Sequence, residues 1–202
     1  VESLIMAKAQ ELYFLNGLKS VTMDELARFC GITKKSIYQH FADKHELINA
    51  LIHDKIERYR KMLQNLPERA ANVIEEIWME TYAFVAEWGN AEPRFFYELK
   101  KFYPTLWQQL ESFRKETVLV YLIDNLERGI KEGIYREDLN IPFVADLRIK
   151  QLLSILHPSR MNQPQISATH LAEQLTEFYL YGITTEKQKS NIKSSIHYQH
   201  EK

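Results

Sequence analysis

From Thr33 the sequence reads Thr-Lys-Lys-Ser-Ile-Tyr-Gln-His-Phe-Ala-Asp-Lys, ending at Lys44. In helical spacing Ile37 and Phe41 stand one turn apart, so they share one face and leave the others polar. Lys34, Lys35 and His40 suit phosphate oxygens or guanine edges, Gln39 can bond adenine, and Tyr38 can reach the nucleic-acid backbone. A major groove about 12 Å wide admits one helix, which needs apolar anchors inward and donors and acceptors outward. Lys44, at the start of the next helix, adds positive charge where free amides already favour a phosphate. A lysine pair alone is more often a solvated face, and His40 has a structural alternative, a hydrogen bond to a neighbouring helix. The position of this segment after a Gly-containing turn favours the groove-binding reading.

A second candidate constellation is aromatic. Trp78, Trp88 and Trp107 fall with Tyr82, Phe84, Phe95, Phe96, Tyr97, Phe102 and Tyr103 in thirty residues. At helical spacing any one of them is most simply core. Together they bring N–H and O–H groups that must find partners when buried, which is how a mostly apolar pocket with a few polar points is built. A ligand cavity among the helices of residues 70–130 is therefore expected, lined by Trp78, Tyr82, Phe102, Tyr103, Trp107 and Tyr121, and taking an apolar or aromatic small molecule. Cys30, the single cysteine, reads as packing beside a tight turn rather than as a redox sensor.

Catalytic signatures are missing. The sequence contains no G-x-G-x-x-G, G-x4-G-K-[ST], H-E-x-x-H or G-x-S-x-G, and none of its seven histidines has a Glu three residues before it. His197 and His200 are three apart, but one pair in a polar tail is too little for a metal site. No catalytic residue, metal or cofactor is expected, and the chain is not read as an enzyme.

The elements that position these residues are helices. Ile5, Ala9, Leu12 and Tyr13 form an amphipathic stripe that Asn16-Gly17 stops. Thr22-Met23-Asp24-Glu25 has capping-box form and opens a short helix through Phe29, ended by Cys30-Gly31. Thr33 caps the next, Lys34 to His40, and Asp43–Glu46 starts a longer one that runs to Leu66-Pro67. Ile74 to Trp88 keeps helical spacing, a short helix follows over Pro93–Lys101, and Pro104 opens a long helix closing near Gly133. Ile141–Leu156 is apolar on two faces, with Ala145, Ile149, Leu152 and Leu156 on one and Val144, Leu147 and Ile155 on the other, so one face can serve the core and the other a partner. His157–Pro164 reads as loop, Ser167 caps a helix to about 183, and the polar tail after it reads as frayed.

Composition agrees with an all-α protein. Six Gly and six Pro in 202 residues are too few for a β-rich chain. The longest purely apolar run, Val118–Ile123, is six residues, far short of a bilayer span. With one cysteine and no visible signal peptide, a reducing cytoplasm is the expected compartment. The net charge of −1 excludes a polycation, so nucleic-acid binding must come from a local patch. Residues 1–63 carry +2 and the remainder −3.

Residues 5–48 resemble the DNA-binding domain of the tetracycline-repressor (TetR) family of bacterial regulators. The matching stretches are Ile5-x3-Ala9-x2-Leu12-Tyr13-x3-Gly17, Val21-Thr22-Met23-Asp24-Glu25-Leu26-Ala27, Gly31-Ile32-Thr33 and Ile37-Tyr38-x-His40-Phe41-x2-Lys44-x2-Leu47. Lys35 departs from the pattern, which often has a small residue there. The resemblance implies an N-terminal three-helix helix-turn-helix domain joined to a C-terminal helical ligand-binding and dimerisation domain. Lys35, Ser36, Tyr38 and Gln39 would meet base edges and nearby backbone, while Thr22, Thr33, His40 and Lys44 would hold phosphates. The last two long helices, about 141–156 and 167–183, would form a four-helix interface with a second copy, bringing in Leu171, Leu175 and Phe178 beside Val144, Leu147 and Ile155. The expected organisation is residues 1–48 for DNA binding, 49–66 as connecting helix, 67–184 for ligand and dimer, and 185–202 as tail. The expected partners are a palindromic double-stranded operator, a small-molecule ligand and a second copy, with no membrane, and the expected role is that of a ligand-released repressor. The alternatives are an all-α ligand-binding protein or enzyme without DNA binding, and a helical adaptor using the 141–156 helix.

Overall fold

Gly17 and Gly31 set the N-terminal turns, because both adopt a left-handed backbone that other residues rarely take. The computed structural model describes residues 1–156 and 166–194. Its helices are α1 (Glu2–Asn16), α2 (Met23–Cys30), α3 (Lys34–Tyr38), α4 (Lys44–Arg69), α5 (Val73–Trp88), α6 (Pro93–Phe102), α7 (Pro104–Phe113), α8 (Leu119–Lys131), α9 (Ile141–Ser154), α10 (Ala168–Ile183) and α11 (Ser190–Ser194). The fold is all-α, as expected. No helix among the described residues is long and apolar enough to cross a membrane. The expected 157–164 loop and the His197/His200 pair lie outside the described residues; of the tail, residues 185–194 are described and hold a 3-10 turn at Glu186–Gln188 and α11, whose Ile192 is buried.

The chain divides into two compact units, residues 1–58 with 90–111, and residues 59–89 with 112–202. These are not the expected divisions at 48 and 66. The first break falls inside α4, and residues 90–111 join the N-terminal unit. The first unit has a core of Ile5, Ala9, Phe14, Leu26, Ile37, Leu47, Leu51, Phe95 and Leu99. There α6 packs on α1, with the Phe14 and Phe95 rings edge to face at 4.8 Å and the Glu92 N–H on the Phe14 carbonyl at 2.9 Å. Glu98 of α6 accepts the Lys19 N–H at 2.7 Å and the Arg94 Nε–H at 2.8 Å. A Cβ at Gly17 would stand 2.8 Å from the same carboxylate.

In the second unit α5 packs on α8 and α10, and α9 on α8 and α10. Tyr135 pairs with Thr184 in an isolated antiparallel bridge. The Tyr135 ring lies so close to Gly129 that a Cβ there would stand 2.1 Å from it, and its hydroxyl donates to the Val73 carbonyl at 2.9 Å. Two expected boundaries moved. Pro67 does not end α4, since it sits in the last turn, where its missing N–H removes a single ladder bond and the Ala70 N–H still reaches Leu66. The expected helix from Pro104 to near Gly133 is interrupted by a π-helical turn at Arg114–Val118.

Candidate nucleic-acid interface

The first unit builds its polar helix from local rules. Thr22 and Glu25 form a complete capping box on α2, with the Glu25 N–H on Thr22 Oγ1 at 3.2 Å and the Thr22 N–H on Glu25 Oε2 at 2.7 Å. These bonds hold the Glu25 carboxyl below its usual range. At the other end Gly31 is left-handed and the Ile32 N–H closes back on Ala27, so α2 ends and α3 begins within three residues. Thr33 caps α3 through the Ser36 N–H at 3.1 Å. Ile37 is fully buried and Phe41 nearly so, which fixes the rotation of α3 and turns Lys34, Lys35, Tyr38 and Gln39 outward.

Of the nine expected DNA-contacting residues, Lys35, Tyr38 and Gln39 stand exposed on or just after α3, with Ser36 half-buried beside them. Lys35 makes no ion pair among the described residues, whereas Lys34 is paired with Asp24 at 2.7 Å, which raises its pKa. His40 lies at the end of the same segment with Nδ1 3.8 Å from Glu2. Thr22 and Thr33 are exposed at the N-termini of α2 and α3, where each serves as a cap. Lys44 is half-buried, donates to the Val21 carbonyl and has the Tyr13 ring 5.6 Å from its ammonium, so it ties the start of α4 to the turn before α2. Burial lowers its pKa, against the pull of Glu98 and Glu25. Cys30 is half-buried and burial raises its thiol pKa.

The six aromatic residues expected to line one cavity divide between the units. Phe102, Tyr103 and Trp107 belong to the first, where Lys19 and Lys101 lie over the exposed Phe102 ring, His45 meets Tyr103, and Lys100 lies over Trp107. Trp78, Tyr82 and Tyr121 belong to the second. Trp78 is buried and stacked on Tyr82 at 6.4 Å. The Tyr82 hydroxyl donates to Glu173 at 3.1 Å, and burial with that carboxylate pushes its pKa up to about 12. Tyr121 is pushed up by burial and by the charges of Glu76 and Glu80.

Around them lies a polar core that the sequence reading missed. Arg148 is fully buried, and its Nη2 donates to Glu80 Oε2 at 3.0 Å and Thr81 Oγ1 at 2.6 Å. Glu80 also accepts the Tyr59 hydroxyl at 2.9 Å, and Thr81 meets Thr176 at 2.8 Å. Burial and Glu80 raise the Tyr59 pKa well above the usual range. The signal was present as register: Glu80 falls between Ile77 and Phe84, and Arg148 between Ala145 and Leu152, on faces that are otherwise apolar. Among the described residues there is no cluster of three or more side chains suited to a metal ion.

Of the expected self-association residues, Phe178 is 74% and Leu147 40% exposed, while Val144, Leu171 and Leu175 are half-buried. Ile155 is a correction. It is buried, because 148, 152 and 155 share the inward face, and the outward row through 144, 147 and 151 continues to Ser154 instead. Phe143, 64% exposed, and Tyr181 extend the apolar surface beyond the expected set.

An all-helical chain with a capped helix-turn-helix and an outward polar face on its second helix defines a helix-turn-helix DNA-binding regulator. Residues 5–51 match the model of bacterial regulatory proteins of the tetR family. Along most of its length it is similar to the HTH-type transcriptional repressor KstR2 of Mycobacterium tuberculosis, 23% identical over 201 residues, covering 90% of this chain and 92% of the relative. It is similar as well to the uncharacterized HTH-type transcriptional regulator YvaF of Bacillus subtilis, 21% identical, covering 93% of this chain and 98% of the relative. The solved structure of the ketosteroid transcriptional regulator KstR2 of Mycobacterium tuberculosis shares the fold, with a TM-score of 0.69 at 22% identity over 92% of this chain and 95% of that one.

Proposed function

We propose that this protein is a cytoplasmic transcriptional repressor that binds a two-fold symmetric operator as a homodimer and leaves it when a small molecule enters the second unit. The observation that carries the reading is α3, a helix anchored by buried Ile37 and Phe41 with Lys35, Tyr38 and Gln39 facing out. In this reading Lys35, Ser36, Tyr38 and Gln39 read base edges and adjacent backbone. Thr22, Thr33, Lys34 and His40 lie against phosphates, Lys34 exchanging Asp24 for the DNA. Lys44 acts chiefly by fixing the turn before α2. The exposed apolar side chains of α9 and α10, above all Phe143, Leu147 and Phe178, meet their counterparts in a second copy. A two-fold dimer presents its recognition helices about 34–36 Å apart, one turn of duplex, which makes the operator near-palindromic. Binding, not turnover, is the activity. Ligand acts by population shift, favouring a dimer whose recognition helices no longer match successive grooves, and operator DNA weakens ligand binding by the same factor.

The test is selection from a random duplex pool at about 0.15 M salt, since affinity without a stated salt has no meaning. Enrichment of a symmetric site by the wild type, lost in Lys35→Ala/Tyr38→Ala, supports the reading; a folded, ligand-stripped dimer that enriches nothing overturns it. A varied apolar and aromatic compound set, read by thermal shift and by release of the selected operator, tests the ligand half. A true ligand at 100 times its Kd adds about 2.7 kcal/mol of stability.

A further inference from the structure

The polar core of the second unit has donors in excess. Arginine carries five N–H donors, and Arg148 directs only Nη2 at Glu80 and Thr81, so the N–H groups on Nε and Nη1 have no partner among the described residues. The Trp78 Nε1–H and the Tyr179 hydroxyl are buried and equally without a partner, and the Arg148 guanidinium lies 5.2 Å from the Tyr179 ring centroid. Trp78 sits one turn from Thr81 on α5, and Thr176 and Tyr179 are one turn apart on α10, so helical spacing puts the two donors beside the Arg148–Thr81–Thr176 chain. Gln151 Oε1, at the edge of the outward row of α9, and the hydroxyls of Tyr121 and Thr184, which bring a donor each, are also buried without a partner among the described residues.

Charge, by contrast, is already balanced. Glu80 neutralises Arg148, and Arg128 holds both oxygens of buried Glu76 at 2.8 Å. A ligand carboxylate beside Arg148 would add an anion next to Glu76 and Glu80, which repel it, while both of these guanidinium groups are already paired. What the site lacks is an acceptor oxygen without a charge. We propose that the Arg148 donor group, with Trp78 and Tyr179, binds the neutral carbonyl oxygen of an otherwise apolar ligand, so that ketones, esters and lactones rather than acids are the effectors. This rests on the ligand-released reading above. These donors are closed off from bulk water, and a carbonyl that reaches them gives them partners that no side chain among the described residues supplies. That differential contact is what a ligand needs to shift a population.

The test uses the full chain and four probes: camphor and γ-decalactone, with bornane as the matched hydrocarbon and adamantanecarboxylate as the anion, each followed by thermal shift and by titration. Camphor is expected to bind about tenfold tighter than bornane, the worth of one hydrogen bond to a charged donor, and the anion no better than bornane. Two variants remove the donors. Arg148→Met/Glu80→Gln takes away both charges together, leaving neither stranded. Arg148→Lys keeps a counter-ion for Glu80, so the fold survives if the double variant does not, while reducing five donors to three. Camphor's advantage over bornane is expected to collapse in each folded variant. Equal binding of camphor and bornane, preference for the anion, or an advantage that persists in the variants overturns the proposal. So does failure of all four probes to bind, and the ligand-released reading is then judged separately on operator release by the wider compound set.

Discussion

At the scale of single residues the helix-turn-helix separates side chains that hold the fold from side chains left for DNA. Lys35 has no ion pair among the described residues, whereas Lys34 is engaged by Asp24 and Lys44 by the Val21 carbonyl. Lys35→Ala is therefore expected to weaken operator binding and, if Lys35 meets a phosphate, to reduce the salt slope by about one. Gln39→Ala is expected to relax preference at one base pair by about 1–3 kcal/mol, read by competition with single-substitution operators. Lys44→Ala, by contrast, is expected to lower the melting temperature as well as affinity, because it removes a tie to the α1–α2 turn. In the second unit the sharpest single-residue constraint is Gly129. A methyl group there collides with the Tyr135 ring, so Gly129→Ala is expected to cost about 1–3 kcal/mol in urea unfolding despite its better helix propensity.

Elements show which information is local. The starts of α2 and α3 were readable because each depends on a hydroxyl and an amide three residues away, and Thr22→Ala is expected to remove about 1 kcal/mol of stability by chemical denaturation. The stop at Gly17 and the turn at Gly31 were readable because a left-handed backbone favours glycine. The π-helical turn at Arg114–Val118 was not, since local spacing continues smoothly through it, and the apolar spacing that predicted one long helix is also what α7 and α8 need separately. Nor was the destination of α6. Its apolar face was visible, but that Glu98 would accept the Lys19 N–H depends on a partner 79 positions away in the chain. That contact has a pH signature. Burial alone would push the Glu98 carboxyl up, but the Arg94 and Lys19 donors outweigh it and hold the carboxyl below its ordinary range. A depressed carboxyl contributes stability that is present above the unfolded value, about 4.3, and is lost as pH falls through the folded one. Wild-type protein is expected to lose stability below about pH 4.5 more steeply than Glu98→Gln, measured by urea midpoints across the acid range. The Arg148–Glu80 core was hidden for a different reason: two charges one or two turns from aromatic side chains read as solvated until the partner 68 residues away is in place.

For the whole molecule, self-association and DNA binding are expected to fail together. Phe178→Asp with Leu147→Asp places two charges on the apolar surface of α9 and α10, and is expected to give a monomer by analytical ultracentrifugation and to weaken operator binding more than tenfold, since a half-site alone retains few phosphate contacts. A dimer that survives both substitutions would mean that the copies meet elsewhere. The discontinuous make-up of the first unit also bears on how such a protein can be taken apart. Its core includes Phe95 and Leu99, and the turn that orients α2 is closed by Glu98, all from a stretch that follows the whole of α5 in the chain. A reading head cut off after residue 48 or 66 would expose the face of Phe14 that Phe95 of α6 covers. Grafting this specificity onto another regulator, or exchanging heads between relatives to make hybrid sensors, therefore calls for carrying residues 90–111 along with the amino-terminal helices, as two splices and not one.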